Sequence, residues 1–220
     1  SIGAAIAIVT TGLSIMSKAF ELGEEAAKLQ RLADAGDEVA RQYGGSMDLI
    51  IEKVKAASHG AVSEMDIIRS ANKAMMLGLG ADAEQLANLM EIAAFRGRAM
   101  GVSTTQAFDD IVRGVGRASP LILDNLGIVV KLGEVNENYA KSIGKTVQQL
   151  TAAEKKQALL NSVLVEGNRM LEKSGGLAED NATSYERWNA ELENTKNSLI
   201  GINSPMSRFA DMGADLLITF

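Results

Sequence analysis

Proline occupies only two of the 220 positions, Pro120 and Pro205, and this scarcity constrains the fold more than any other feature. Proline fixes φ and lacks an N–H, so it breaks the helical ladder; with so little of it, long reaches of chain are free to be helical. Glycine, at 21 positions, supplies the punctuation instead. Apolar residues make up 46% of the chain but aromatics only 4%. The apolar share is carried by Ala, Leu, Ile, Val and Met, which suit helices packing closely on one another. The chain therefore reads as all-α, about seven to ten consecutive amphipathic helices and helical hairpins separated by Gly-rich breaks.

An apolar N-terminal segment with amphipathic helices is predicted over residues 1–57. Residues 1–17 carry no charge before Lys18. They read first as a buried helix; a membrane-inserting or pore-forming segment is the alternative, because the run sits at the short edge of what spans a bilayer. From Phe20 to Tyr43, the positions of Leu22, Leu29, Leu32, Val39 and Tyr43 mark an amphipathic helix. Gly44-Gly45 breaks it, and Met47, Ile50, Ile51 and Val54 stripe a short helix that ends near Ser58-His59-Gly60.

A helical core region is predicted over residues 58–173. Ser63 and Asp66 form a capping pair ahead of a stripe of Ile68, Ala71, Met75 and Leu79. A short echo follows at a spacing of 21 residues, Gly80-Ala81-Asp82-Ala83-Glu84-Gln85 against Gly101-Val102-Ser103-Thr104-Thr105-Gln106. In each, a glycine ends one helix, Asp or Ser caps the next, and a Gln closes a capping box. The first helix places Leu86, Leu89, Met90 and Ala93 on one face; the second places Ala107, Phe108, Ile111, Val112 and Val115 likewise. Their short connection, Gly97 to Val102, predicts an antiparallel hairpin.

Residues 114–135 read as the least helical part, yet Leu121, Ile122, Leu123, Leu126, Ile128, Val129, Val130 and Leu132 form a dense apolar cluster there. A compact turn is predicted, with Pro120 in the first turn of a helical loop and Gly127 ending it. Ile128 to Leu132 is a weak candidate for a short strand. Thr151-Ala152-Ala153-Glu154 is the strongest capping box, opening a helix with a stripe of Leu159 or Leu160, Val163, Leu164 and Leu171. Ser174-Gly175-Gly176 ends it.

Residues 174–220 read as a linker and C-terminal helices, truncated. Ala178 to Thr183 is polar enough for a loop, and Thr183-Ser184-Tyr185-Glu186 caps a helix carrying Trp188, Leu192, Thr195, Leu199 and Ile202 at repeated spacings. Gly201 and Pro205 interrupt it before a final apolar helix. Both ends are apolar without a polar tail, which predicts an excerpt of a longer polypeptide, and the absence of a basic region ahead of the first apolar stretch argues against a signal peptide.

The formal charge of −6 and pI near 5.0 argue against direct nucleic acid recognition, which depends on clustered Lys and Arg. Without cysteine there are no disulfides or thiolate metal sites. The single histidine, His59, reads as a solvated turn residue. Glu24-Glu25 and Asp109-Asp110 point about 100° apart on a helix and do not converge on one bond; they read as solvated faces. Gly78-Leu79-Gly80 and Gly114-Val115-Gly116 lack the rest of a nucleotide-binding pattern and read as helix ends. Lys155-Lys156 and Arg96-Gly97-Arg98 read as solvated surface. No catalytic, cofactor-binding or metal-binding residue is predicted, and an enzyme is the least favoured class. A generic helical interaction module is the plainest alternative.

One ordered series of motifs does point to a family. Ser119-Pro120-Leu121-Ile122-Leu123-Asp124-Asn125-Leu126-Gly127-Ile128, then Tyr139-Ala140-Lys141-Ser142-Ile143-Gly144-Lys145, then Leu150-Thr151-Ala152-Ala153-Glu154-Lys155-Lys156-Gln157, resembles the tail tape measure proteins of long-tailed bacteriophages and prophages. The similarity covers best the stretch from Gly78 to Leu171. Pro120, Leu123, Asp124, Asn125, Leu126, Gly127, Ile128, Tyr139, Thr151 and Glu154 carry it. The resemblance implies a structural virion protein, lying in the lumen of the tail tube, that scaffolds tube assembly, sets tail length and is released ahead of the DNA. It implies as partners other copies of the chain, tail tube and tail tip proteins, assembly chaperones in the host cytoplasm, and in some members the host inner membrane. It implies no cofactor and no catalytic residue. Repeated Gly breaks depart from a plain ruler, since a continuous helix of this length would extend about 330 Å.

Overall fold

A computed structural model describes residues 23–175 and 181–200. Expectations placed on residues 1–17, Leu22, the 176–180 linker, Ile202 and Pro205 lie outside the described residues. Every regular element among the described residues is helical, in agreement with an all-α chain. Helix α1 covers residues 23–42, and α2 (Met47–Ala57), α3 (Glu64–Met76), α4 (Ala83–Met100), α5 (Thr104–Gly116), α6 (Pro120–Asp124) and α7 (Leu132–Ser142) follow. A single 3-10 turn, Val147–Gln149, precedes α8 (Ala152–Ser174) and α9 (Asn181–Ile200).

The chain divides into two compact units, Ala35–Glu191 and a second formed by Ser1–Asp34 with Leu192–Phe220. In the larger unit α4 is the central element, packed against α2, α5 and α8, while α3 lies on α2 and α5. Its Leu86, Leu89, Met90 and Ile92 are fully buried, together with Ile50, Phe108 and Ile111. Burying each such side chain stabilises the fold by roughly 1.5–3 kcal/mol. The α4–α5 hairpin is as the spacing predicts, with Ala107 packed on Gly97 at the connection. In the smaller unit, Lys196 Nζ on α9 lies 2.7 Å from Glu25 Oε1 on α1, an exposed pair.

Local sequence explains where the helices start. Ser46, Ser63, Asp82, Ser103 and Thr151 each accept a hydrogen bond from the backbone N–H three residues on. The reciprocal half of the box is made by Glu154 but not by Gln85, whose Nε2 donates instead to the Leu79 carbonyl at 2.9 Å. The expected boxes at Asp82 and Ser103 are thus simple N-caps.

Helix ends follow one rule. After α1, α3, α4 and α7 the chain turns on a left-handed glycine, Gly44, Gly78, Gly101 and Gly144. The next residue donates back across the turn, as Leu79 N does to Ala74 O at 3.0 Å and Lys145 N to Ala140 O at 2.8 Å. This is the six-to-one bond of the Schellman motif. Two helices end the same way on residues with a side chain, α2 on His59 (φ 52°) and α5 on Ala118 (φ 50°).

Gly114 and Gly116 form the last turn of α5, a helix end as the sequence predicts, and are contact points there. A Cβ on Gly114 would lie 2.7 Å from Leu123 Cδ2, and one on Gly116 would lie 2.6 Å from Leu77 Cβ. Ile128 to Val130 alternates buried and exposed like a strand, but no strand lies beside it and Leu132 already begins α7. Asn181 to Thr183 is helical, so Thr183 and Ser184 lie within α9 and not ahead of its first residue.

Candidate functional site

The motif residues form the corner between α5 and α7. Ala118 turns the chain at the end of α5, with Ser119 N donating to Gly114 O at 2.8 Å. Ser119 caps by position only, and Pro120 takes the first place in α6, where its fixed φ suits the helix and its missing N–H costs nothing. One turn later the chain closes on Gly127 at φ 65°. Gly127 N donates to Asp124 O at 2.8 Å and Ile128 N to Leu123 O at 3.1 Å. These are the two bonds of a Schellman turn, and its apolar contact falls to Leu123 and Ile128.

Each motif position has a physical reason. Leu123 and Ile128 are 0% exposed and Leu126 1%. Gly127 supplies the left-handed backbone, and the Arg96 guanidinium occupies the space where a Cβ would stand. Arg96 Nε donates to the Leu126 carbonyl at 2.5 Å. Asp124 and Asn125 face solvent. Val130 returns to the core while Val129 is 70% exposed, as is Leu121 on α6 at 77%.

Tyr139 lies half-buried on α7, and its carbonyl accepts from Ser142 Oγ at 2.7 Å. After Gly144, Thr146 and Gln149 make a capping box absent from the sequence reading, ahead of the one at Thr151 and Glu154. Glu154 Oε2 accepts from Thr151 N at 2.8 Å, and Lys145 Nζ pairs with Glu154 Oε1. The Lys145 ammonium and the Thr151 N–H together hold the Glu154 carboxyl down at a pKa of about 2. The structure thus brings Leu123, Leu126, Gly127 and Ile128 into one turn and Thr151 with Glu154 into another. The two are linked in sequence by α7, which packs on α8.

Four side chains read as solvated surface or a local cap have other work. Arg96 caps α6, as described. Lys156 Nζ donates to Leu77 O at 2.8 Å, closing the C-terminus of α3. Glu186 accepts from Thr104 N at 3.0 Å and from Thr104 Oγ1 at 2.9 Å, so α9 supplies an anion to the N-terminus of α5. Cations at helix C-termini and anions at N-termini complement the helix dipole. Asp109, read as a solvated face, bridges to α3 through Ser70 Oγ at 2.9 Å and Lys73 Nζ at 2.7 Å. Asp110 diverges from it and pairs with Arg113.

A shallow, open groove of about 530 Å³ between α2, α4 and α8 is lined by Lys53, Glu84, Asn88, Glu91 and Asn168. Lys53 is already paired with Glu84 at 2.8 Å, which raises its pKa. Among the described residues no cluster of three His, Asp or Glu side chains could hold a metal, and no helix is long and apolar enough to cross a membrane. The arrangement is one of mutual helix-end capping. No protein-family model matches the chain, and no solved structure matches it.

Proposed function

We propose that this chain is a structural segment of a bacteriophage tail tape measure protein, which scaffolds the tail tube and contributes to its length. The observation that carries the reading is the ordered series from Ser119 to Gln157. Its distinctive residues, Leu123, Leu126, Gly127, Ile128, Thr151 and Glu154, are those that end one helix and begin another. A motif made of turn and cap residues specifies architecture, and a scaffold needs no converging polar groups. The partners that follow are other copies of the chain, tail tube and tip proteins and assembly chaperones. Its place is the tube lumen.

An in-frame deletion of Gly78 to Leu171 from the parent virus tests this. Shortened tails support it, by at most roughly 140 Å for a fully helical path. Intact tails of unchanged length would overturn it.

A further inference from the structure

Helix α7 is weakly held, by its sequence and by its packing. Its eleven residues include Gly133, Val135, Asn136 and Asn138, types that rank low as helix formers. Lys131 stands at the N-cap and offers no side-chain acceptor to the first N–H groups. A Cβ at Gly133 would meet nothing within 4 Å, so neither a close approach nor a left-handed turn requires glycine there. Of the eleven residues only Ala140 is buried, whereas α5 buries eight of its thirteen. Asn136 Oδ1 is buried and accepts no hydrogen bond. That carbonyl is served by water once the helix lifts, which lowers the cost of lifting it.

Both flanks of α7, in contrast, are fixed by contacts that do not involve it. Before it, Arg96 Nε on α4 holds the Leu126 carbonyl at 2.5 Å, and Ile128 is 0% exposed. After it, Lys145 Nζ pairs with Glu154 on α8, Thr146 and Gln149 close their capping box, and Leu150 is 6% exposed. Gly144, left-handed at φ 69°, ends α7 just ahead of this second corner.

We infer that α7 is a lid, which lifts off α8 as one piece while the corners at Gly127 and Thr151 stay in place. Lifting exposes its half-buried Leu132, Val135 and Tyr139, together with the stretch of α8 on which it packs. The lid is a property of the folded chain and does not depend on the proposed tail role, whose failure would show in the deletion experiment alone.

Native-state hydrogen exchange of the whole chain, followed by NMR at low urea, tests this. The amides of Asn136 to Ser142 exchange together, about a hundredfold faster than those of α4. Their rate rises with urea, as the uncovering of a packed surface requires and fraying does not. The amides of Ile128 and Lys155, which donate to Leu123 O and Thr151 O in the two corners, keep their protection. Asn136→Leu removes the unpaired carbonyl at nearly the same shape and slows exchange in α7 about tenfold; Gly133→Ala slows it about threefold. Exchange in α7 as slow as in α4 overturns the inference, as does a rate independent of urea. So does loss of protection at Ile128 and Lys155 in step with α7, or an Asn136→Leu variant whose α7 exchanges no more slowly than before.

Discussion

Arg96 on α4 and Leu126 at the end of α6 are joined by a hydrogen bond of 2.5 Å across thirty residues of sequence. The carbonyl it satisfies is one that every helix end leaves without an intrahelical partner. Replacing Arg96 by Met keeps most of the packing and removes the donor. We expect a loss of about 1–2 kcal/mol in urea unfolding, the cost of a partly buried carbonyl left unpaired. An unchanged midpoint would show that water serves the carbonyl equally well.

Gly127 is constrained twice, by its φ of 65° and by the Arg96 guanidinium packed against it. Gly127→Ala should therefore cost more than the ~1 kcal/mol of a left-handed alanine alone. In an Arg96→Met background the excess should shrink, a coupling that a double-mutant cycle reads directly. Additive effects would count against the steric part of the argument.

Ala118 takes the same left-handed position at the end of α5 that glycine takes after α4. Ala118→Gly should raise stability by about 0.5 kcal/mol, the relief of left-handed strain less the added freedom of the unfolded chain. His59→Gly should act in the same direction. Destabilisation by both, measured by thermal unfolding, would mean that their side chains make contacts worth more than the strain.

Much of the fold is legible in the sequence where the physics is local. Ser63, Asp82, Ser103 and Thr151 cap N–H groups three residues away, and Gly101 and Gly127 end helices within the same turn, so a short window contains both partners. Helix α7 begins at Leu132 behind Lys131, which makes no side-chain cap, so only Glu134 in the first turn marks its start. The alternation at Ile128, Val129 and Val130 is real, but a strand needs a neighbour and a helical environment supplies none. Lys156, Glu186 and Arg96 look like surface charges because their partners lie 79, 82 and 30 residues away. The candidate turn could be located from sequence; the charges that lock it could not.

Glu154 gives the fold a defined acid response. Its pKa is lowered to about 2 from the ordinary 4.5. The carboxylate therefore stabilises the folded state above pH ~4.5, and this contribution is lost as the pH falls from there through about 2. Glu154→Gln removes that part of the pH dependence while leaving the Thr151 cap. Carbon NMR titration of the Glu154 carboxyl should give a midpoint well below that of an exposed glutamate; an ordinary midpoint would contradict the pairing with Lys145 and the Thr151 N–H.

Glu186 holds the Thr104 amide by a direct hydrogen bond. Glu186→Ala should speed hydrogen exchange at Thr104 by about tenfold, the loss of one charge-assisted bond. Exchange elsewhere in α5 should change less. A uniform increase across the helix would instead mean that α9 supports the whole unit.

Tail length is the most direct test of the structural role, and duplication tests it more cleanly than loss, since a deletion can shorten a tail by impairing assembly. An in-frame duplication of Gly78 to Leu171 in the parent virus should give infectious-sized heads on longer tails when measured by electron microscopy, with a gain of up to roughly 140 Å. Tails of unchanged length on otherwise intact particles would contradict the assignment of this segment to the ruler.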